Sequence, residues 1–179
     1  MEHITKTKNS ICYMLRAMYY VIMTLDITTH PNDILRAKNE EISSEILKTD
    51  KFKQLVLDMV ETMHKKDGIG LAAPQIGKNL QICVINTENG DLVLINPKIK
   101  KKGFGTDIEE EGCLSIPGVY GTVKRSKKIS VNAIAPDGSK INFIAKGLFA
   151  RVIQHEVDHL NGVLFIDKVL QITKGELDK

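Results

Sequence analysis

The sequence predicts an α+β fold, with mostly antiparallel sheets packed around a central buried helix that carries the motif HExxH. Three observations lead there. Residues 147–162 (GLFARVIQHEVDHLNG) are apolar around most of a helical circumference, the mark of a helix buried on nearly all sides. Residues 80–86 (LQICVIN) and 91–97 (DLVLINP) flank the turn signal Thr87-Glu88-Asn89-Gly90, and 128–135 and 140–146 flank Pro136-Asp137-Gly138, so four strands come as two hairpins. Residues 43–66 repeat apolar side chains at helical spacing.

In chain order, residues 1–22 (MEHITKTKNSICYMLRAMYYVI) stand apart from the rest. Their apolar part is broken by Arg16 and is too short to span a membrane, and no small-residue cleavage site closes a secretory signal. They are expected to be a disordered extension, or an upstream start with translation beginning at Met23. Lys6, Lys8 and Arg16 against Glu2 give a weak hint of an organellar presequence. Residues 23–179 are expected to form one domain. The run LDITTHPNDI at 25–34 reads as a short extended segment and a Pro-Asn-Asp turn, after which Leu35-Arg36 opens a polar connection. The 43–66 helix, or two helices joined near Thr49-Asp50, buries Leu55, Met59 and Met63 with Phe52, Val56 and Val60, and stops at Asp67-Gly68. Residues 68–77 (GIGLAAPQIG) hold three glycines, two alanines and a proline. A backbone so bare suits close approach by a ligand, with Gln75 its single polar side chain. Residues 99–104 are read as extending the sheet. On the histidine helix, Leu148, Val152, His155 and His159 share one face, with Phe149, Ile153, Glu156 and Leu160 beside it. Arg151, Gln154 and Asp158 form the polar side, and Gly162 ends the helix.

At 179 residues the chain is long enough to bury a proper core, and its 42% hydrophobic and 26% charged content is ordinary for a globular protein. A net charge of +3 is too mild to argue for nucleic-acid or membrane binding, and neither is expected. The basic runs at 98–102 and 124–128 are read as solvated strand ends or loops. Three cysteines, Cys12, Cys83 and Cys113, make no disulfide framework, which points to a reducing compartment. Cys83, in an apolar run, reads as a small core residue.

His155 and His159 lie one helical turn apart, so both imidazoles can reach one metal ion. Glu156 is about 100° around the helix from His155, turned away from the ligand positions but able to reach a water beside the ion, as the general base of HExxH enzymes does. The other reading is a core helix whose histidines are satisfied by hydrogen bonds. Cys113, in EGCLSIPG at 111–118, would complete a Cys-His-His set with one coordination position open, the arrangement of a catalytic rather than a structural centre.

With these residues in view, the sequence resembles the peptide deformylases. Three motifs of that family stand in order, GIGLAAPQ at 68–75, EGCLS at 111–115 and QHEVDH at 154–159, within a similarity that covers roughly 25–169. The resemblance implies a hydrolase that removes the N-formyl group from the initiator N-formylmethionine of nascent polypeptides, in the bacterial cytoplasm, or in an organelle if residues 1–22 are a presequence. It implies one divalent metal ion held by Cys113, His155 and His159, natively Fe2+, with Zn2+, Ni2+ or Co2+ accepted. Glu156 would be general base and acid. The Gln75 side-chain amide and the Leu114 backbone N–H would stabilise the oxyanion, an open turn at Gly112 letting the latter face the site. Gly70 would pair its main chain with the extended peptide, and Ile69, Leu148 and Val152 would wall the methionine side chain, unless they are ordinary core residues. Glu111, Arg125 and Asp158 would orient the ligands. Two departures stand out. Tyr120 occupies a position where many relatives carry arginine. Past Ile166 the chain is too short for the long C-terminal helix that docks relatives on the ribosome, so any ribosome contact is expected to be transient. Two further readings compete: an HExxH zinc peptidase drawing its third ligand from Asp167, Glu176 or Asp178, and an inactive metal-stabilised peptide-binding module, against which intact Glu156 and Gln75 argue.

Overall fold

The computed structural model describes residues 20–177 apart from 102 and 104, so the expectation for 1–22 and the end of the 99–104 extension fall largely outside it. In chain order the elements are α1 (Ser44–Leu47), α2 (Asp50–Lys65), β1 (Gly70–Ala72), β2 (Ile82–Thr87), β3 (Gly90–Lys101), β4 (Thr106–Cys113), β5 (Ile116–Ser126), β6 (Lys128–Ile134), β7 (Lys140–Lys146), α3 (Gly147–Leu160) and β8 (Val169–Lys174). Short 3-10 turns lie at Asp33–Arg36, Ala73–Ile76 and Phe165–Asp167. One sheet runs β1-β2-β3-β6-β7 and the other β4-β5-β8, with antiparallel pairing throughout.

The first sheet is covered on both faces. Ile82 and Val84 of β2 pack with Phe52, Met59 and Met63 of α2, whereas the intervening Cys83 and Ile85 pack with Ala150, Ile153, Val157 and Leu160 of α3. Successive strand residues point to opposite faces, so a sheet with a helix on each side needs apolar residues at every position. That is why β2 and β3 read as continuous apolar runs. Burying each large aliphatic side chain in such a sandwich contributes roughly 1.5–3 kcal/mol. A smaller cluster of Leu35, Val119, Val123, Leu164 and Phe165 lies against the second sheet.

Of the two readings of 43–66, the pair of helices joined near Thr49-Asp50 is the one found: Thr49 has extended backbone angles and its side chain accepts a hydrogen bond from the Phe52 N–H, capping α2. Other expectations are corrected. Leu35 belongs to a 3-10 turn and is wholly buried, so Leu35-Arg36 is no polar connection. β4 and β5 form a hairpin over residues for which no strand is expected from the sequence. In the 124–128 run the lysines are exposed, but Arg125 is buried. β3 bends where Asn96 takes a left-handed φ of 50°, and its side-chain amide bonds both the N–H and the carbonyl of Ile42 in place of ladder partners.

Candidate metal centre

α3 begins straight out of β7, with Gly147 at φ 56°, and ends at Asn161. Gly162 follows with φ 73°, where a Cβ would stand 2.3 Å from the Arg36 carbonyl oxygen; only glycine lets the helix stop there. Within the helix, His155 Nε2 and His159 Nε2 lie 3.2 Å apart. Cys113 is the last residue of β4, where the chain turns through Leu114-Ser115, and its Sγ is 3.2 Å from His159 Nε2. The three donor atoms all fall within 4.8 Å of one another. A tetrahedral ion with bonds of about 2.0–2.3 Å spaces its N and S donors by roughly 3.3–3.8 Å. The set therefore fits one divalent ion with little movement, and the donor chemistry suits zinc, iron, nickel or cobalt.

Two buried atoms close by have no partner among the described residues, Glu156 Oε2 and His159 Nδ1. Glu156 is 3% exposed, and burial pushes its carboxyl up to about 7. Its other oxygen packs on Gly70, where an added Cβ would stand 2.4 Å from Oε1. The glycine is thus needed for room beside the carboxylate. Burial would lower His155, but Cys113 and Glu111 beside it outweigh that and raise it to about 10. His159 goes the other way, pushed well below its usual value by burial and by the neighbouring His155.

Behind the histidines lies an ionic network that sequence reasoning saw only in part. Glu111 Oε2 is 3.0 Å from His155 Nδ1, so that ring's Nε2 is left to face Cys113 and His159. Arg125 grips Glu111 with Nε and Nη2 at 2.9 and 2.8 Å and also reaches Asp158, which in turn accepts from Lys168. Burial would raise the Glu111 carboxyl, but Arg125 and His155 outweigh it and hold it well below the carboxylate range. Arg125 and Glu111 are both buried. Arg151 and Gln154 are buried as well, not on a solvated polar side. Gln154 bonds the Ser126 N–H and carbonyl, and Arg151 reaches β4 and β5.

Gln75 sits in the 3-10 turn after β1. Its Oε1 accepts from the Ala72 N–H at 2.8 Å, which fixes the amide plane, and its Nε2 lies 3.4 Å from Cys113 Sγ. A cavity of about 470 Å³ opens over these groups, lined by Gly70, Gln75, Cys113, Leu114, His155 and Glu156 among others. Ile69 and Leu148 are 53% and 59% exposed in its wall, so neither is an ordinary core residue, whereas half-buried Val152 beside them also packs against the core of the first sheet. Gly112 is not an open turn. It stands in β4 opposite Tyr120, whose ring lies on it so closely that a Cβ would be 2.7 Å from the ring edge. Lys174 on β8 holds its Nζ 5.2 Å from the centroid of that ring. Asp167 is engaged by Arg36 and the Leu164 N–H, away from the three donors, which leaves the peptidase reading without that ligand.

A family model described as polypeptide deformylase matches residues 24–175. The peptide deformylase of Syntrophomonas wolfei is 46% identical over 149 residues, covering 81% of this chain and 93% of that one. The crystal structure of a peptide deformylase from Synechococcus elongatus in complex with actinonin superposes with a TM-score of 0.77 at 46% identity, over 82% of this chain and 79% of that one. The Met-Ala-Ser-bound class I type b peptide deformylase from Acinetobacter baumannii gives a TM-score of 0.78 at 30% identity, over 83% of this chain and 100% of that one.

Proposed function

The chain belongs to the peptide deformylase family, metal-dependent hydrolases that remove the N-formyl group from nascent polypeptides, and from that premise we propose which residues do the work. Cys113, His155 and His159 hold one divalent cation, natively Fe2+, with Zn2+, Ni2+ or Co2+ as substitutes. When bound, such an ion polarises the formyl carbonyl and lowers the pKa of the attacking water. Glu156 takes the water's proton on Oε2 and hands it to the leaving amine nitrogen. Its burial, its unpartnered Oε2 and a carboxyl raised to about 7 support this, because a base near neutrality can both accept and return a proton. Gln75 Nε2 and the Leu114 N–H donate to the oxygen on which charge accumulates, and the bond from Ala72 that fixes the Gln75 amide supports the assignment.

The formylmethionyl peptide lies extended along Gly70. β1 is an edge strand, hydrogen-bonded to β2 on one side only, which leaves main-chain groups for an added strand. Ile69, Leu148 and Val152 wall the methionine side chain. We take the catalytic unit as 23–179, with residues 1–22 outside it, in keeping with a family match that starts at residue 24. The reading places the protein in the bacterial cytoplasm, or in an organelle if 1–22 direct it there. No helix among the described residues is long and apolar enough to cross a membrane. Ribosome contact would be transient.

The observation that carries this reading is the meeting of three donor atoms beside a buried carboxylate oxygen with no partner. Formate release from a formylmethionyl peptide tests it. Glu156→Ala is expected to keep its metal and lose at least about 100-fold in kcat. Cys113→Ala is expected to bind metal weakly. Full activity in either variant contradicts the assignment.

A further inference from the structure

Arg151 has no part in the chemistry assigned above, yet it is the most heavily bonded side chain on α3. It is 4% exposed and lies one turn before His155. Nε donates to Glu109 at 3.1 Å. Nη1 donates to Glu111 Oε1 at 2.7 Å and to the Val123 carbonyl at 2.9 Å, and Nη2 to the Asp107 side chain at 2.7 Å and the Asp107 carbonyl at 3.4 Å. A guanidinium has five N–H donors, and all five are in use. Glu111 is filled in the same way. Oε1 accepts from Arg125 Nε and Arg151 Nη1, and Oε2 meets Arg125 Nη2 and His155 Nδ1. A carboxylate offers about four lone-pair sites, so this one cannot turn without breaking a bond.

A carboxylate behind a ligating imidazole fixes the ring and raises its donor strength, and cations on the far side of that carboxylate temper the effect. Arg151 is such a cation. It also ties α3, which carries both histidines, to Asp107 and Glu109 of β4, the strand that ends in Cys113. We propose that Arg151 is a positioning residue of the metal centre. Through Glu111 it sets the ring plane and donor strength of His155, and through β4 it holds Cys113 at bonding distance from the imidazoles. The proposal rests on the three-ligand centre described above. Lysine cannot replace it, having three donors on one atom and no fork.

Cobalt(II) added to the metal-free protein is the probe, read by its ligand-field and thiolate charge-transfer bands and by its rate of loss to excess chelator. Relative to wild type, Arg151→Lys is expected to shift the bands, release cobalt roughly 10-fold faster or more, and lower kcat by a larger factor than it changes KM. Combined with Glu111→Gln, it should release cobalt faster than Glu111→Gln alone but by less than the product of the two single effects, because part of the effect runs through that carboxylate and part through β4. Unchanged bands and release with only a lower melting temperature, or additive effects in the double variant, would overturn the proposal. Should Arg151→Lys not fold, Asp107→Ala keeps the guanidinium on Glu111 and removes one side-chain tether to β4. It is expected to release cobalt a few-fold faster, and release at the wild-type rate overturns the proposal equally. If the wild type itself takes up cobalt without a thiolate band, the three-ligand centre is at fault instead.

Discussion

Glu156 is buried where a carboxylate is costly, and the cost has a measurable sign. Its carboxyl lies at about 7 in the folded chain against 4.5 for the free group. Between those values the folded chain keeps a proton that the unfolded chain has lost, so stability from this group is full below about 4.5 and lost as pH rises through about 7. In metal-free protein, Glu156→Gln is therefore expected to gain melting temperature over wild type as pH goes from 5 to 8, by the equivalent of on the order of 2–3 kcal/mol. A pH-independent difference between the two melting curves counts against a buried, protonated Glu156. Gly70 tests the same carboxylate from the other side. Gly70→Ala puts a methyl group on Oε1, and a displacement of about 1 Å at a reacting group costs on the order of 100-fold. The expected result is kcat down about that much with metal content unchanged. His155, Glu156 and His159 were legible because helical spacing is local. Arg151 was not, since its partners lie about forty residues upstream. A signal did exist: Asp107, Glu109 and Glu111 alternate, the period of one strand face, and three carboxylates on one face call for a cation.

Among the elements, legibility followed who supplies the burial. β2, β3, β6, β7, α2 and α3 are stabilised by apolar side chains of their own, and periodicity exposes them. β4 offers little apolar surface, and its acidic face is neutralised by Arg151 and Arg125 from α3 and β5, so nothing in the strand itself announces it. β5 was hidden by Pro117, Gly118 and Gly121, of which Gly121 fits because β8 leaves no room for a Cβ: Val169 Cγ2 would be 2.3 Å away. The break between α1 and α2 is set by one hydroxyl. Thr49→Ala is expected to cost about 1 kcal/mol in denaturant unfolding and to leave formate release untouched, as the cap lies on the face of the sheet away from the cavity. Loss of activity in that variant would mean that α2 communicates with the site.

For the molecule as a whole, the centre joins its two sheets. Cys113 belongs to β4 of the second sheet, and the histidines ride on α3, which covers the first. A cation bound by both stabilises the folded chain by about 2.7 kcal/mol at a free concentration one hundred times Kd. In a chain of this size that is roughly 5–10 °C of melting temperature. Chelation is expected to remove that increment from the wild type and very little from Cys113→Ala. An identical loss in both would show that the chelator acts elsewhere.

The free edge beside the cavity is only three residues long, Gly70–Ala72, before the backbone coils away into the 3-10 turn at Ala73–Ile76. A guest chain lying there would find main-chain partners on this edge for only its first residue or two. On the proposed function, so narrow a window would take in the opening letter and ignore the word, and one catalyst would then serve chains of many different sequences.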